Sequence, residues 1–226
     1  MRIIAIFEKN ERVRHIGHLD IQRAVQRGLR RSGLPVAYSN GFNPHILVAF
    51  ASALSTGACG EREIMDVKMA EETKAEEFLR RMNDAMPPEM RLKEARAVDD
   101  RHPAMTALLK AASYEIRIHD PIQANRLIRS VDSMMAREEI PVSRKSKSGI
   151  REVDMKPLIH ALRGEGQTLY AVLTLTEKES CKPSMILEGL KREAGMDPEE
   201  EVRILVTRTM LLGEGEDGGL RPLETL

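Results

Sequence analysis

The feature that most constrains the fold is a change of hydrophobic period that occurs in the same order in both halves of the chain. A mostly apolar run over residues 2–8 predicts a buried strand, and apolar residues at helical spacing from His18 predict an amphipathic helix that ends near Gly33. Two extended segments, a helix over 71–86 and a strand over 91–98 follow. The first half therefore has the order strand, helix, strand, strand, helix, strand.

The second half repeats this order, although no residue-level repeat relates the halves. Its predicted elements are strands over 114–118, 140–145, 168–176 and 201–212 and helices over 121–137 and 184–194. The order predicts the α+β class with two tandem ferredoxin-like (β-α-β-β-α-β) domains, at residues 1–100 and 101–212. The Gly-rich, acidic residues 213–226 predict a disordered tail.

Charge and cysteine content exclude several kinds of site. The 226-residue chain has 35 basic and 35 acidic side chains, so nucleic-acid binding would need a local basic surface. Cys59 and Cys181 are far apart and no CxxC pattern occurs, so we expect no cysteine zinc site, no iron–sulfur cluster and no other cofactor. No apolar run approaches the roughly 20 residues of a membrane span, and the N-terminus lacks a signal-peptide pattern. These features predict a cytoplasmic protein without membrane contact.

A basic surface is predicted on the first helix and just before it. The residues concerned are Lys9, Arg14, Arg23, Arg27, Arg30 and Arg31. The last four occupy positions i, i+4, i+7 and i+8 on one helical side, where arginine forks suit phosphate oxygens. The alternative is a solvated face that Asp20 and Glu8 partly neutralise.

Three histidines in this region are candidates for chemistry. His15 and His18 are three residues apart, and Asp20 follows, so a metal site is one reading. General acid–base catalysis of RNA cleavage by His15, His18 or His45 is a second. We favour a third, in which the histidines orient a turn or contact a ligand, because no nucleophile elbow, phosphate loop or metal motif accompanies them.

An unusual loop extends from Ser39 to His45. Gly41 permits a positive φ, and Asn43 is pushed to an extended form by the proline that follows. Phe42 between them is either a stacking platform for a nucleobase or a plug for the core beneath the loop, and we favour the plug. The candidate ligand-binding residues here are Ser39, Asn40, Phe42, Asn43 and His45.

A second basic strip lies around residues 144–156 and includes Arg144, Lys145 and Lys147. It is typical of a positively charged hairpin tip, suited to a polyanion but equally consistent with an exposed turn. Residues 61–100 are rich in acids, so the zero net charge conceals a basic and an acidic surface. This asymmetry favours a binding role.

Several motifs taken together resemble one bacterial family. They are Phe7-x-Lys9, Arg14-His15-Ile16-Gly17-His18-Leu19-Asp20, Arg30-Arg31-Ser32-Gly33-Leu34-Pro35, Tyr38-Ser39-Asn40-Gly41-Phe42-Asn43-Pro44-His45, Leu54-Ser55-Thr56-Gly57 and Glu63-Ile64-Met65-Asp66. The chain resembles the radical-SAM-linked family, a domain of unknown function that stands beside a radical S-adenosylmethionine protein or is fused to its C-terminal side. The family usually has Ser where Gly17 stands, so a hydroxyl contact from this position is lacking.

The resemblance implies a separately encoded radical S-adenosylmethionine protein as the partner. Because the chain lacks cluster-binding cysteines, we expect a non-catalytic accessory or substrate-recognition protein that binds structured RNA. Two alternatives remain open: a protein–protein docking module that does not bind RNA, and a metal-independent endoribonuclease that uses histidine.

Overall fold

The computed structural model describes the backbone of residues 1–146 and 149–226, with all side chains among them except those of 144–146 and 150. The chain divides into two compact units. Unit 1 comprises Met1–Leu109 together with Met210–Leu226, and unit 2 comprises Lys110–Thr209.

The first part of the chain contains β1 (Arg2–Lys9), α1 (His18–Ser32), β2 (Val48–Phe50), β3 (Ala58–Lys68), α2 (Ala75–Ala85), β4 (Leu92–Val98) and α3 (Met105–Leu108). There follow β5 (Leu109–Ile118), α4 (Pro121–Arg129), α5 (Val131–Met135), β6 (Pro141–Ser146), β7 (Gly149–Asp154), β8 (Ile159–Glu165), β9 (Thr168–Thr174), α6 (Pro183–Glu193), β10 (Ile204–Glu214) and β11 (Leu220–Pro222). Short 3-10 helices cover Glu11–Val13, Pro88–Met90, Lys156–Leu158 and Leu223–Thr225.

The sheet of unit 1 has the strand order β4-β1-β3-β2, and every one of these pairs is antiparallel. Because side chains alternate along a strand, Ile3, Ala5 and Phe7 share one face of β1. This face joins a core with Leu29 of α1 and Phe78 of α2, all almost fully buried. The helices therefore cover one side of the sheet, and their apolar stripes supply most of the burial that stabilises the unit.

The packing of α1 explains its sequence. Its buried residues fall at helical spacing, and Gly28 among them lets α2 approach, since a Cβ at this position would lie 2.5 Å from Sδ of Met86. The helix ends at Gly33, whose φ of 62° is the left-handed cap conformation that side chains disfavour. This helix and its end are predicted correctly from the sequence.

The opposite face of the unit 1 sheet is covered by the last residues of the chain. Leu223 is fully buried, and Glu224 lines a cavity of about 140 Å³ with Ile4, Ile6 and Arg96 among others. The structure therefore differs from the expected disordered tail over residues 213–226, which form part of β10, β11 and a 3-10 helix. Their acidic composition indicates disorder only locally, whereas the contacts that order them come from distant strands.

Unit 2 has the strand order β10-β5-β9-β8, and β6 and β7 form a separate two-stranded sheet. Ile116, Leu127 and Leu173 are among its fully buried residues. The helix predicted over 121–137 is divided into α4 and α5 at Ser130, whose hydroxyl donates to the carbonyl of Arg126 at 3.0 Å. Such back-bonding to the preceding turn favours a bend.

The prediction of the α+β class is confirmed by these elements. The finer prediction of two ferredoxin-like domains stays a prediction. The division of the chain differs from the expected boundaries at 100 and 212, because residues 101–109 and 210–226 both belong to unit 1. Within the described ranges, no helix is both long and apolar enough to cross a membrane.

Candidate functional site

Three sequence motifs meet at the carbonyl of Arg14. This oxygen accepts hydrogen bonds from Nζ of Lys9 at 2.7 Å and from the backbone N–H of Gly57 at 2.8 Å. The preceding 3-10 helix is capped by Asn10, whose side-chain oxygen accepts from the N–H of Arg12. Lys9 is 0% exposed, so the structure uses this predicted ligand-binding residue to fix the segment that leads into α1.

The two neighbouring histidines have different surroundings. His15 is exposed, and its Nε2 accepts a hydrogen bond from Nε of Arg14 at 3.1 Å. The ring of His18 packs edge-on against Phe50 with 5.3 Å between the centroids, and Phe50 in turn packs against Phe7. His18 is thereby oriented by the aromatic residues of β1 and β2, a contact that local sequence patterns do not reveal.

The start of α1 is open to the addition of a side chain. Gly17 is its N-cap residue, with an ordinary extended φ of −72°, and glycine has no side chain with which to cap the helix. A Cβ on Gly17 would lie 3.7 Å from Oγ1 of Thr56 and 3.9 Å from Oδ2 of Asp20, which are normal contact distances. Sterics therefore do not require glycine here, and the serine usual in the resembled family would fit.

Burial affects the one thiol near this segment. Cys59 lies at the start of β3, and burial followed by the nearby Glu11 carboxylate raises the pKa of its thiol. A raised pKa lowers the thiolate fraction near neutrality, and the thiolate is the nucleophilic form. The buried thiol of Cys59 is therefore less nucleophilic near neutral pH than an exposed cysteine.

The predicted arginine face is present and exposed on α1. Arg23, Arg27, Arg30 and Arg31 fall within an arc of about 100° and along about 12 Å of helix. Arg23 pairs with Asp20 at 3.0 Å, and Arg31 donates to the carbonyl of Ala85 at 2.5 Å. The guanidinium groups of Arg27 and Arg30 have no hydrogen-bond or ionic partner among the residues that the structure describes.

The loop from Ser39 to His45 is closed at its base. The N–H of Ser39 donates to the carbonyl of His45 at 2.9 Å, and the N–H of His45 donates to the hydroxyl of Ser39 at 3.1 Å. The same hydroxyl is 2.8 Å from Nδ1 of His45, and Tyr38 pairs with Ile46 just outside. At the tip, Gly41 has a φ of 118°.

Phe42 projects from this tip into solvent. Its side chain is exposed at 106% of the reference area, so the favoured interpretation, in which it plugs the core, is wrong. The flanking Asn40 and Asn43 are also exposed. The loop therefore has a hydrogen-bonded base, a glycine with positive φ and a solvent-exposed aromatic ring at its tip.

The predicted site residues do not form one cluster. His45 lines a shallow depression of about 270 Å³ with Arg2, Asp66 and Lys68, at the start of β1. The contact of Lys9 with the Arg14 carbonyl lies at the other end of this strand, which is roughly 23 Å long. Within the described parts of the chain, no group of three His, Cys, Asp or Glu residues is arranged to hold a metal ion.

The basic strip of the second half belongs to unit 2. Arg144 and Lys145 lie on β6, which pairs with β7 as a hairpin, and Lys147 lies outside the described residues.

Together, the fold and this site define an α+β protein whose first unit presents an arginine-rich helix face and an exposed aromatic loop. Residues 2–183 match the family described as "Uncharacterized protein conserved in bacteria (DUF2344)", and the chain belongs to this family. A comparison with curated proteins finds no match.

Proposed function

We propose that the protein is a non-catalytic recognition subunit that binds structured RNA through the exposed arginine face of α1. The observation that carries this proposal is the pair Arg27 and Arg30, which are exposed and lack a described partner on a helix with four arginines on one side. Arginine forks match phosphate oxygens in geometry as well as charge.

The ion pairs that are present on this face do not block it. Arg23 and Asp20 have side chains 66% and 61% exposed, and such surface pairs contribute only about 0–1 kcal/mol. A phosphate can therefore replace the carboxylate of Asp20 at little cost. Since the net charge of the chain is zero, the affinity has to come from this local concentration of positive charge.

The proposal includes the ferredoxin-like fold for both units. In unit 1 the elements β1, α1, β2, β3, α2 and β4 and the strand order β4-β1-β3-β2 support it. In unit 2 the order β10-β5-β9-β8 supports it when the β6–β7 hairpin is taken as an insertion. This arrangement packs α1 on one side of the sheet and leaves its arginines in solvent.

The enzyme that this subunit serves is proposed to be a separately encoded radical S-adenosylmethionine protein. The support is the motif resemblance, together with the state of the cysteines. Cys59 and Cys181 are both buried, and two buried thiols cannot supply the cysteine ligands that an iron–sulfur cluster needs. Any such cluster would belong to the partner.

A docking module without RNA binding is the second candidate, and the complete exposure of Phe42 favours it. Exposed aromatic residues are frequent anchors of protein–protein interfaces. The endoribonuclease alternative has no comparable support, because His45 lies apart from the segment that holds His15 and His18.

The test compares RNA binding by wild type and by Arg27→Glu/Arg30→Glu. The matched control is Arg117→Glu/Arg129→Glu, which makes the same change of charge at two exposed arginines of unit 2 that have no described side-chain partner. The probe is a labelled RNA stem-loop, and its affinity is measured by anisotropy between 50 and about 200 mM salt.

We expect the Arg27/Arg30 variant to bind more weakly and to lose about two units of the slope of log K against log salt, about one for each phosphate contact. The control should retain most of the affinity. Wild-type protein that fails to bind, or equal losses in both variants, would overturn the arginine-face proposal. Capture of the radical enzyme in high salt, without RNA binding, would establish the docking module, and cleavage of the probe in EDTA would establish the endoribonuclease.

A further inference from the structure

The exposed loop lies within a stretch that carries no formal charge. From Ser32 to Gly60 the chain contains 29 successive residues without Asp, Glu, Lys or Arg, although such residues make up 31% of the sequence. The stretch itself offers a phosphate group no permanent positive charge; the charged side chains of Arg2, Asp66 and Lys68 lie beside His45 at the base of the loop. A neutral group is therefore the better complement of the tip.

The tip of the loop offers a ring with amides on both sides. Phe42 is fully exposed, and Asn40 and Asn43 present side chains that both donate and accept hydrogen bonds. A neutral, planar group with donors and acceptors on its edge matches this combination. Among the components of RNA, only the nucleobase has these properties.

We infer that Phe42 stacks on an unpaired nucleobase of the RNA, while Asn40 and Asn43 contact the edge of that base; this inference rests on the proposed function and specifies its substrate class. The substrate is then an RNA with an unstacked base in a loop, bulge or end, because bases inside a duplex keep their faces covered. The hydrogen bonds between Ser39 and His45 close the base of the loop before the RNA binds, so binding orders few additional backbone dihedral angles.

Chain connectivity allows one RNA to contact both surfaces of unit 1. Ser32, the end of α1, and Tyr38, at the base of the loop, are six positions apart in the sequence, so their Cα atoms are at most about 22 Å apart. Arg30 and Arg31 are in the last turn of that helix. An RNA stem bound by these arginines can therefore place the unpaired bases of the RNA loop at Phe42.

The absence of tryptophan from the sequence makes the test direct. In Phe42→Trp the introduced indole is the sole tryptophan, and it keeps an aromatic ring at the loop tip. Two probes share one stem: a stem-loop with unpaired adenosines, and a blunt duplex. We expect the stem-loop to quench the tryptophan emission and the duplex to leave it unchanged.

The RNA affinities of three Phe42 variants distinguish base stacking from a simple apolar contact. Phe42→Ala should weaken stem-loop binding about 5- to 150-fold, as expected for the loss of one base–aromatic stack, and leave duplex binding unchanged. Phe42→Tyr should restore the affinity, whereas Phe42→Leu, which is apolar but not aromatic, should not. The loop tip is exposed, so none of these changes removes a core contact.

The outcomes distinguish the two proposals. If the stem-loop binds and the Arg27→Glu/Arg30→Glu variant weakens it but Phe42→Ala does not, base stacking is overturned and the arginine-face proposal stands. If wild type binds neither probe, both fail. The inference is also overturned if Phe42→Leu binds the stem-loop with the affinity of the wild type. It is overturned as well if Phe42→Ala keeps its affinity for the stem-loop but no longer binds a protein partner, since the loop then serves as an apolar contact for that protein.

Discussion

Replacing Arg62 with Met tests how much the ion pairs of this residue contribute to the stability with which residues 220–226 pack on the sheet of unit 1. Arg62 lies on β3, with Nη1 2.8 Å from Oε1 of Glu94 on β4 and Nε 2.8 Å from Oε1 of Glu224. Methionine retains most of the aliphatic stem and removes the guanidinium group. The change in stability then reports mainly the ionic contacts.

The two contacts contribute unequally because they differ in burial. The Glu94 side chain is 57% exposed, so its pair is worth about 0.5 kcal/mol. The Glu224 side chain is 9% exposed, and its Oε2 has no hydrogen-bond partner among the described residues. Removing the remaining donor leaves a buried carboxylate at a cost of about 2–3 kcal/mol. Detaching the segment instead would expose Leu223, which costs about 2 kcal/mol, so the expected total is about 3 kcal/mol.

Thermal unfolding followed by circular dichroism at pH 7 measures this loss. For a protein of this size, about 3 kcal/mol corresponds to a decrease in Tm of about 6–12 °C. The control is Arg80→Met, which removes an exposed helical pair with Asp84 at 3.5 Å and should lower Tm by no more than about 2 °C.

Lowering the pH should reduce the difference in stability between the wild type and Arg62→Met. The hydrogen bond from Arg62 holds the pKa of the Glu94 carboxyl below its ordinary value of 4.5. A carboxyl with a lowered folded-state pKa contributes stability that is complete above the ordinary value and is lost as the pH falls through the folded one. The wild type therefore loses this contribution below about pH 4.5, whereas the variant has none to lose. A Tm decrease no larger than that of Arg80→Met would refute the reasoning.

Two further predictions concern unit 1. Gly33→Ala should destabilise the protein by about 1–2 kcal/mol in urea unfolding, because φ at this position is 62° and a Cβ would lie 2.8 Å from Nη2 of Arg81; an unchanged midpoint would contradict the cap assignment. Iodoacetamide should modify Cys59 at pH 7 much more slowly than a free cysteine, since burial and Glu11 raise the pKa of this thiol, and urea should abolish the protection. Mass spectrometry of the labelled peptide measures both rates. Rapid labelling of the folded protein would contradict the buried environment described for Cys59.

Local patterns in the sequence predict much of unit 1 because its elements are locally encoded. The apolar run of β1 and the glycine that ends α1 are strong signals, and both elements are where they are predicted. The arginine face follows from helical spacing alone. In the same way, the turn residues between Ser39 and His45 indicate a loop.

The other features of unit 1 depend on contacts between residues far apart in the sequence, which local patterns do not predict. The partners Arg62 and Glu224 are 162 positions apart, and without that contact the C-terminal segment has the composition of a disordered tail. Lys9 is predicted to contact a ligand because it precedes the arginine-rich helix as one of a group of basic residues, yet its side chain is buried and donates to the carbonyl of Arg14. Whether Phe42 points inward or outward depends on the closure of its loop.

The division of unit 1 between the two ends of the chain has a consequence for the order of its synthesis. Residues 1–109 leave the ribosome before unit 2, but the 17 residues that complete their unit follow only after the 100 residues of unit 2. At about 5–20 residues per second, the strands of unit 1 wait roughly 5–20 s for the segment that contains Leu223 and Glu224. During this interval, one face of the nascent sheet is uncovered while all of unit 2 becomes available to fold, so a chaperone or a translating neighbour meets unit 1 in an unfinished form.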